Sequence, residues 1–161
     1  MNKLELLEIL EDNARVTPEE IAVMLQSDPA SVRRAIKELE ENKTILKYMT
    51  LVNWEKAGEE KVSAMIEVRI TPQRDVGFDA VARRICRFPE VRSVRLMSGA
   101  YDLAVFIEGR TMREVSNFVA TKLATIEGVV STTTHFVLKT YKQDGVIVDD
   151  GEEDRRLMIT P

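Results

Sequence analysis

Two helix starts, eleven residues apart, constrain this chain more than any other feature. The first is Thr17-Pro18-Glu19-Glu20. Threonine suits an N-cap, and proline suits the first helical position because its missing N–H costs nothing there. Glu20, at the third position, completes a capping box. The second start, Asp28-Pro29, repeats the cap and the proline. The helix opened at Pro18 must therefore end near Gln26, and two or three residues must turn the chain sharply into the next helix. From Asp28 to Glu41, Val32, Ile36 and Leu39 fall on one stripe. Ala30, Arg33, Arg34 and Lys37 lie on its flank and back. A short helix, a tight turn and a longer cationic helix form the helix-turn-helix pattern. Leu4, Leu7 and Leu10, widened by Leu6 and Ile9, predict an earlier helix from about Asn2 to Asp12 that supplies the third side of a small core.

After Glu41, Asn42-Lys43 predicts a helix end, with asparagine in the left-handed conformation. Ile45 to Val52 has strand composition. Three helices and a strand or hairpin make a winged helix-turn-helix, with Lys47 and Tyr48 on the wing; the alternative packs Tyr48 onto the helices. A helix with one apolar and one cationic side fits a DNA groove, although an ordinary solvated surface helix shares that pattern. The groove-facing candidates are Ala30, Arg33, Arg34 and Lys37. Arginine bonds guanine in bidentate fashion, and lysine bonds guanine or phosphate. Ser31 and the helix N-terminus suit a phosphate, and Lys47 suits the backbone beside the wing. Sequence alone does not divide these roles.

Charge is unevenly spread. Residues 1–60 carry a net −5, residues 61–142 a net +5 and residues 143–161 a net −4. Any DNA-binding surface in the first segment must therefore be local. No apolar run exceeds the five residues Leu103 to Ile107, far short of a membrane helix. The leucine- and glutamate-rich N-terminus reads as an amphipathic helix, not a leader. A single cysteine, Cys86, excludes an intrachain disulfide and a multi-cysteine metal site. Its place on a predicted helix suggests a small core residue. A cytoplasmic location fits.

Asn53 to Lys61 reads as a connector. Val62, Ala64, Ile66, Val68 and Ile70 then alternate as a strand, ended by Thr71-Pro72. Phe78, Val81, Ala82, Ile85 and Phe88 keep helical spacing. Val91 to Met97 is a strand, Gly99 marks a turn, and Tyr101 to Ile107 is another strand. Met112, Val115, Phe118, Val119, Leu123 and Ile126 predict a second helix, and Val129 to Tyr141 a long last strand. The order βαββαβ predicts a ferredoxin-like sandwich, with two helices on one face of a four-stranded antiparallel sheet. The other face has Met65, Tyr101 or Ala104, and Phe136 or Thr134 to hide, depending on register. That predicts a homodimer through this domain. The domains are therefore a winged helix-turn-helix over 1–52, a connector over 53–61, an α+β sandwich over 62–142 and an acidic extension over 143–161.

Catalysis has no visible residues to run on. There is no phosphate loop, nucleophile elbow or paired-carboxylate arrangement in the sandwich. The one histidine, His135, lies mid-strand without partners at ligand spacing, so neither a metal nor a cofactor is expected. Ser98-Gly99-Ala100-Tyr101-Asp102 stands out. Gly99-Ala100 fits a two-residue type II′ hairpin. On one reading Asp102 stabilises the turn and Tyr101 packs. On the other, exposed N–H groups hold a ligand carboxylate while Asp102 pairs with an ammonium group, the two ends of a free amino acid.

This layout resembles the leucine-responsive/asparagine-regulator (Lrp/AsnC) family of transcription regulators over nearly all of residues 2–142. The residues that carry the resemblance are Leu4 to Leu10, Ile21-Ala22, Asp28 to Arg34, Leu39 to Ile45, Ser98 to Asp102, and Gly128 to Thr134. It implies a RAM/ACT-like C-terminal domain that binds small effectors, usually amino acids. It also implies dimers, which in the family often assemble into octamers, with the effector between dimers near Ser98, Gly99, Ala100, Tyr101 and Asp102. Thr132, Thr133 and Thr134 of the last strand are implied to lie nearby. This chain departs from the family pattern in having Gln26 and Lys43 where glycine is usual, Asp28 where serine is usual, and Ala35 where a basic residue is often found. Ala100 replaces a residue that is often polar or acidic.

The expected function is sequence-specific binding of double-stranded DNA, modulated by a small molecule, with no membrane partner. Two rivals share the architecture. One is a sirohaem decarboxylase-like enzyme, disfavoured by the single histidine. The other is an effector-sensing partner protein without DNA binding. In the acidic extension, Gly145 to Val148 and Leu157 to Ile159 are candidates to pair or dock on a partner subunit.

Overall fold

The computed structural model describes residues 2–71 and 77–149. Its contacts divide the chain into two compact units, Met1–Val52 and Asn53–Pro161.

The first unit is three helices: α1 Lys3–Asp12, α2 Pro18–Met24 and α3 Pro29–Glu41. Each start is capped by a side chain. Asn2 accepts from the Leu4 N–H, Thr17 from Glu20 and Asp28 from Ser31. Their core is Leu6, Leu10, Ile21, Ala22, Val32, Ala35 and Leu39. The buried stripe of α1 thus runs through Leu6 and Leu10, one helical turn apart, while Leu4 stands in solvent.

Residues 46–53 form no strand. Leu46, Met49, Leu51 and Val52 lie exposed along this segment. A strand needs a hydrogen-bonded neighbour, and strand composition cannot supply one; among the described residues none runs alongside. Tyr48 instead donates its hydroxyl to Glu40 Oε1 on α3 at 2.9 Å.

The second unit is a four-stranded antiparallel sheet in the order β2-β3-β1-β4. The strands are β1 Val62–Ile70, β2 Val91–Leu96, β3 Leu103–Gly109 and β4 Val129–Phe136. Helices α4 Gly77–Ile85 and α5 Met112–Phe118 cover one face, α5 continuing as a π-helical stretch, Val119–Leu123. The alternation of β1 sends Ala64, Ile66, Val68 and Ile70 into the core with Val81, Ile85, Leu103, Val105, Ile107, Val115, Phe118 and Leu123. Phe88 and Phe118 meet edge to face, centroids 5.4 Å apart.

Register decides the opposite face. Thr134 pairs with Ile66 and Phe136 with Ala64, so both lie on the helix side. The open side carries Met65, Ala104 and Phe106, together with Glu67 and His135 joined at 3.2 Å. Tyr101 belongs to neither face, because β3 begins only at Leu103. The last strand stops at Phe136 rather than Tyr141. Its neighbour β1 begins at Val62, and after Val137 N–H bonds Ser63 O at 2.9 Å there is no further strand to pair with. The chain then folds back on itself. Strands β5 Lys142–Gln143 and β6 Val146–Ile147 pair across Asp144-Gly145, both at positive φ, an Asp-Gly type I′ pattern. Val146 and Ile147 thus find their partner inside the chain. Leu157 to Ile159 lie outside the described residues. Cys86, just past the end of α4, is exposed rather than in the core.

Candidate functional site

Helix α3 begins with Asp28 accepting the Ser31 N–H at 2.9 Å. Hydrogen bonds from the Ser31 side chain and backbone hold the Asp28 carboxyl below its ordinary range. Val32, Ala35 and Leu39 turn inward. Ala35 is therefore a packing residue, and a basic side chain there would have to leave the core. Ala30, Arg33, Arg34 and Lys37 are exposed together on the outer side, and Ser31 is half-buried beside them. Their electrostatic settings differ. Arg33 is ion-paired with Glu19 of α2. Lys37 faces Glu41 one turn along α3 at 3.7 Å. Arg34 has no acidic partner among the described residues. Lys47 is exposed on the irregular segment, outside any wing strand. The Glu19 contact escaped the sequence reading because residues fourteen apart on separate helices leave no periodic signal.

The α2–α3 turn is built on Gln26 at φ +47. Ser27 N–H bonds Ala22 O at 2.9 Å and Gln26 N–H bonds Val23 O at 3.4 Å, the pair of bonds that closes a helix through a left-handed residue. Lys43 is also left-handed after α3, at φ +63, but there its N–H bonds Glu40 O at 3.2 Å and it is Ile45 N–H that bonds Leu39 O, at 2.9 Å. The left-handed residue there is Lys43, not Asn42, whose side chain accepts the Thr44 N–H at 2.9 Å.

In the second unit, Ser98 to Asp102 does not form the two-residue type II′ turn. That turn needs Gly99 at positive φ, and Gly99 is not there. Instead Met97 N–H bonds Asp102 O at 2.8 Å, closing a wider loop over Ser98, Gly99, Ala100 and Tyr101. Asp102 is tied twice to β1. Its N–H donates to Val68 O at 3.0 Å, and its Oδ2 accepts the Ile70 N–H at 2.7 Å. This bond falls where β1 shifts register between Arg69 and Ile70. The Asp102 carboxylate thus ties the end of the loop to β1 rather than bonding within the turn, and its Oδ1 has no hydrogen bond among the described residues. Ser98, Gly99 and Ala100 are exposed, and among the described residues the N–H groups of Ser98 to Tyr101 donate to nothing. A Cβ on Gly99 would meet nothing within 4 Å.

The three threonines do not act together. Thr132 and Thr134 pair with Val68 and Ile66 on the helix side, whereas Thr133 pairs with Glu67 on the open side. Thr132 sits in the row Leu103–Val68–Thr132, two strand spacings or roughly 10 Å across β1 from the Asp102 end of β3. Two surface cavities occur elsewhere, of about 640 Å³ beside Thr111 and Asn117 and about 310 Å³ beside Glu90 and Arg110. At the latter, Lys122 bonds Glu90 Oε1 at 2.5 Å and holds that carboxyl below its ordinary range.

Comparison with known proteins covers both units. A winged helix-turn-helix DNA-binding model matches residues 2–45, ending before the irregular segment. An Lrp/AsnC ligand binding domain model matches residues 63–147, through the β5–β6 hairpin. YugG of Bacillus subtilis strain 168, an uncharacterized HTH-type transcriptional regulator, is 50% identical over 98% of this chain and 95% of its own length. FL11 of Pyrococcus furiosus, also an HTH-type transcriptional regulator, is 30% identical over 86% and 89%. The crystal structure of the transcriptional regulator NMB0573/L-Met complex from Neisseria meningitidis superposes with a TM-score of 0.70 at 27% identity, covering 88% and 90%. With a DNA-binding helix-turn-helix in one unit and a ligand-binding sandwich in the other, the chain belongs to the Lrp/AsnC family of transcription regulators.

Proposed function

We propose that this regulator binds operator DNA as a homodimer or a higher assembly, with Ala30, Ser31, Arg33, Arg34, Lys37 and Lys47 facing the nucleic acid. We further propose that a free amino acid at the Ser98–Asp102 loop alters how copies associate. The observation that carries the sensing half is the loop itself. It offers unused N–H groups from Ser98 to Tyr101 for a carboxylate, and a carboxylate oxygen of Asp102 for an ammonium group. Gly99 needs neither its conformational freedom nor the space, so its own chain gives no reason for a missing side chain. An approaching ligand or second subunit gives one. The bound L-Met in the Neisseria structure supports an amino acid as the effector class. Thr132 and Thr134 are the strand residues retained for this site, since Thr133 points from the opposite face.

A loop this open cannot bury a small ligand alone, because ligand sites cover most of their ligand's surface. A second copy is therefore part of the proposed site. Ligand binding then changes the balance between assembly states only insofar as it binds one state more tightly. In each dimer, two α3 helices would enter successive major grooves about 34 Å apart. The test is binding to DNA upstream of its own gene, with and without each free amino acid, while sedimentation follows the oligomer. One or more amino acids are expected to shift both. If none shifts either, the sensing half is wrong; if no DNA is bound specifically, the reading of α3 is wrong.

A further inference from the structure

We propose a division of labour on α3: Arg34 reads base sequence, whereas Arg33 is a sequence-blind phosphate contact that Glu19 restrains. This rests on the reading of α3 as the groove helix. Three observations carry it. Val32, Ala35 and Leu39, with the half-buried Ile36 packed beside them, fix the inward side of α3, so at 3.6 residues per turn Ala30, Arg34 and Lys37 occupy the side opposite. Arg33 lies about 100° round from Arg34, toward α2. There it is ion-paired with Glu19, in the first turn of α2, the helix that crosses the DNA backbone in this motif. Arg34 alone of the α3 cations has no acidic partner among the described residues, so its guanidinium is available for a bidentate contact with a guanine edge. The small Ala30 one turn before it leaves that side chain room.

Glu19 has a second consequence. Its carboxylate already engages the Arg33 guanidinium, so a DNA phosphate has to compete with Glu19 for Arg33. Removing that charge should tighten binding to any DNA without changing which sequence is preferred.

The experiment measures affinity for operator and random DNA over a salt series, with a panel of operators changed one base pair at a time. Arg34→Ala is expected to lower the operator-to-random ratio at least tenfold and to flatten the preference at one base pair. Arg33→Ala should weaken both DNAs by a similar factor and reduce the salt slope by about one, with Arg33→Lys restoring most of the loss. Glu19→Gln should tighten both several-fold at an unchanged ratio. The proposal is overturned if Arg33→Ala flattens a base preference, if Arg34→Ala weakens both DNAs equally, or if Glu19→Gln binds as wild type does. If neither arginine variant changes DNA binding at all, the assignment of α3 to the groove falls with it.

Discussion

Gln26 and Lys43 show how single residues carry cost in this scaffold. Both hold left-handed backbone, at φ +47 and +63, with side chains that disfavour it. The turn is nevertheless closed by the ordinary hydrogen bonds of a left-handed helix end. The energy of that conformation is thus borne by helix packing on either side, not by the turn. Gln26→Gly and Lys43→Gly should each stabilise the helical unit by about 0.5–1 kcal/mol, the relief of strain being partly offset by the greater freedom of glycine in the unfolded chain. Urea midpoints at unchanged slope would show it. A lower midpoint for Gln26→Gly would mean that its side chain stabilises the turn in a way the backbone does not reveal. These positions were readable from sequence as departures from a glycine pattern. That they would adopt the conformation anyway, rather than reshape the turn, was not readable, because it depends on where Ile21 and Val32 lock the two helices.

At the scale of elements, the caps make the helical unit acid-sensitive. The Thr17 backbone and hydroxyl hold Glu20 below its ordinary 4.5, and Ser31 holds Asp28 below its ordinary 3.8. A carboxyl whose folded value is lowered contributes stability above its unfolded value and loses it as pH falls through the folded one. Helix content followed by circular dichroism should therefore begin to soften below about pH 4.5, and Glu20→Gln should flatten part of that dependence. A Glu20→Gln profile identical to wild type would dissociate the box from stability. The same distinction between structural and functional carboxylates is testable at Asp102. Asparagine can still accept the Ile70 N–H, so Asp102→Asn should cost less than about 1 kcal/mol, whereas Asp102→Ala, which strands that N–H, should cost about 1–3 kcal/mol. If Asp102 also pairs with an effector's ammonium group, Asp102→Asn abolishes the amino-acid response while keeping the fold. An intact response leaves Asp102 a purely structural residue. The elements themselves were legible wherever one face is buried. The period of two in β1 and the caps of α2 and α3 each predicted their structure. The segment after α3, the loop over Gly99 and the end of β4 were not, because hydrogen-bond partners and φ values there are set by other parts of the chain.

For the whole molecule, the charge distribution makes association the central variable. Residues 1–60 carry a net −5, and α3 presents one arginine without an acidic partner among the described residues, so a single copy of the helical unit should hold DNA weakly. Pairing two such units converts the second contact into an intramolecular one, which gains roughly 10²–10⁴ in affinity without any new contact. The surface we assign to that pairing is the open side of the sheet, where Met65, Ala104 and Phe106 lie among Ser93, Arg95, Thr133 and the Glu67–His135 pair. Phe106 is half-buried with the Arg95 guanidinium 5.5 Å from its ring centroid. Phe106→Asp therefore places a carboxylate beside a cation in the single copy, where it is tolerated, but in the dimer buries it against the facing sheet and its equally altered position 106, where it costs several kcal/mol. The variant should sediment as a monomer with an unchanged circular dichroism spectrum, and its operator affinity should fall by a factor of roughly 10² or more. A variant that remains dimeric would move the interface off this face. One that becomes monomeric yet binds operator as tightly as wild type would show that a single α3 suffices, and that the opposite charges of residues 1–60 and 61–142 serve something other than bringing a pair of reading helices together.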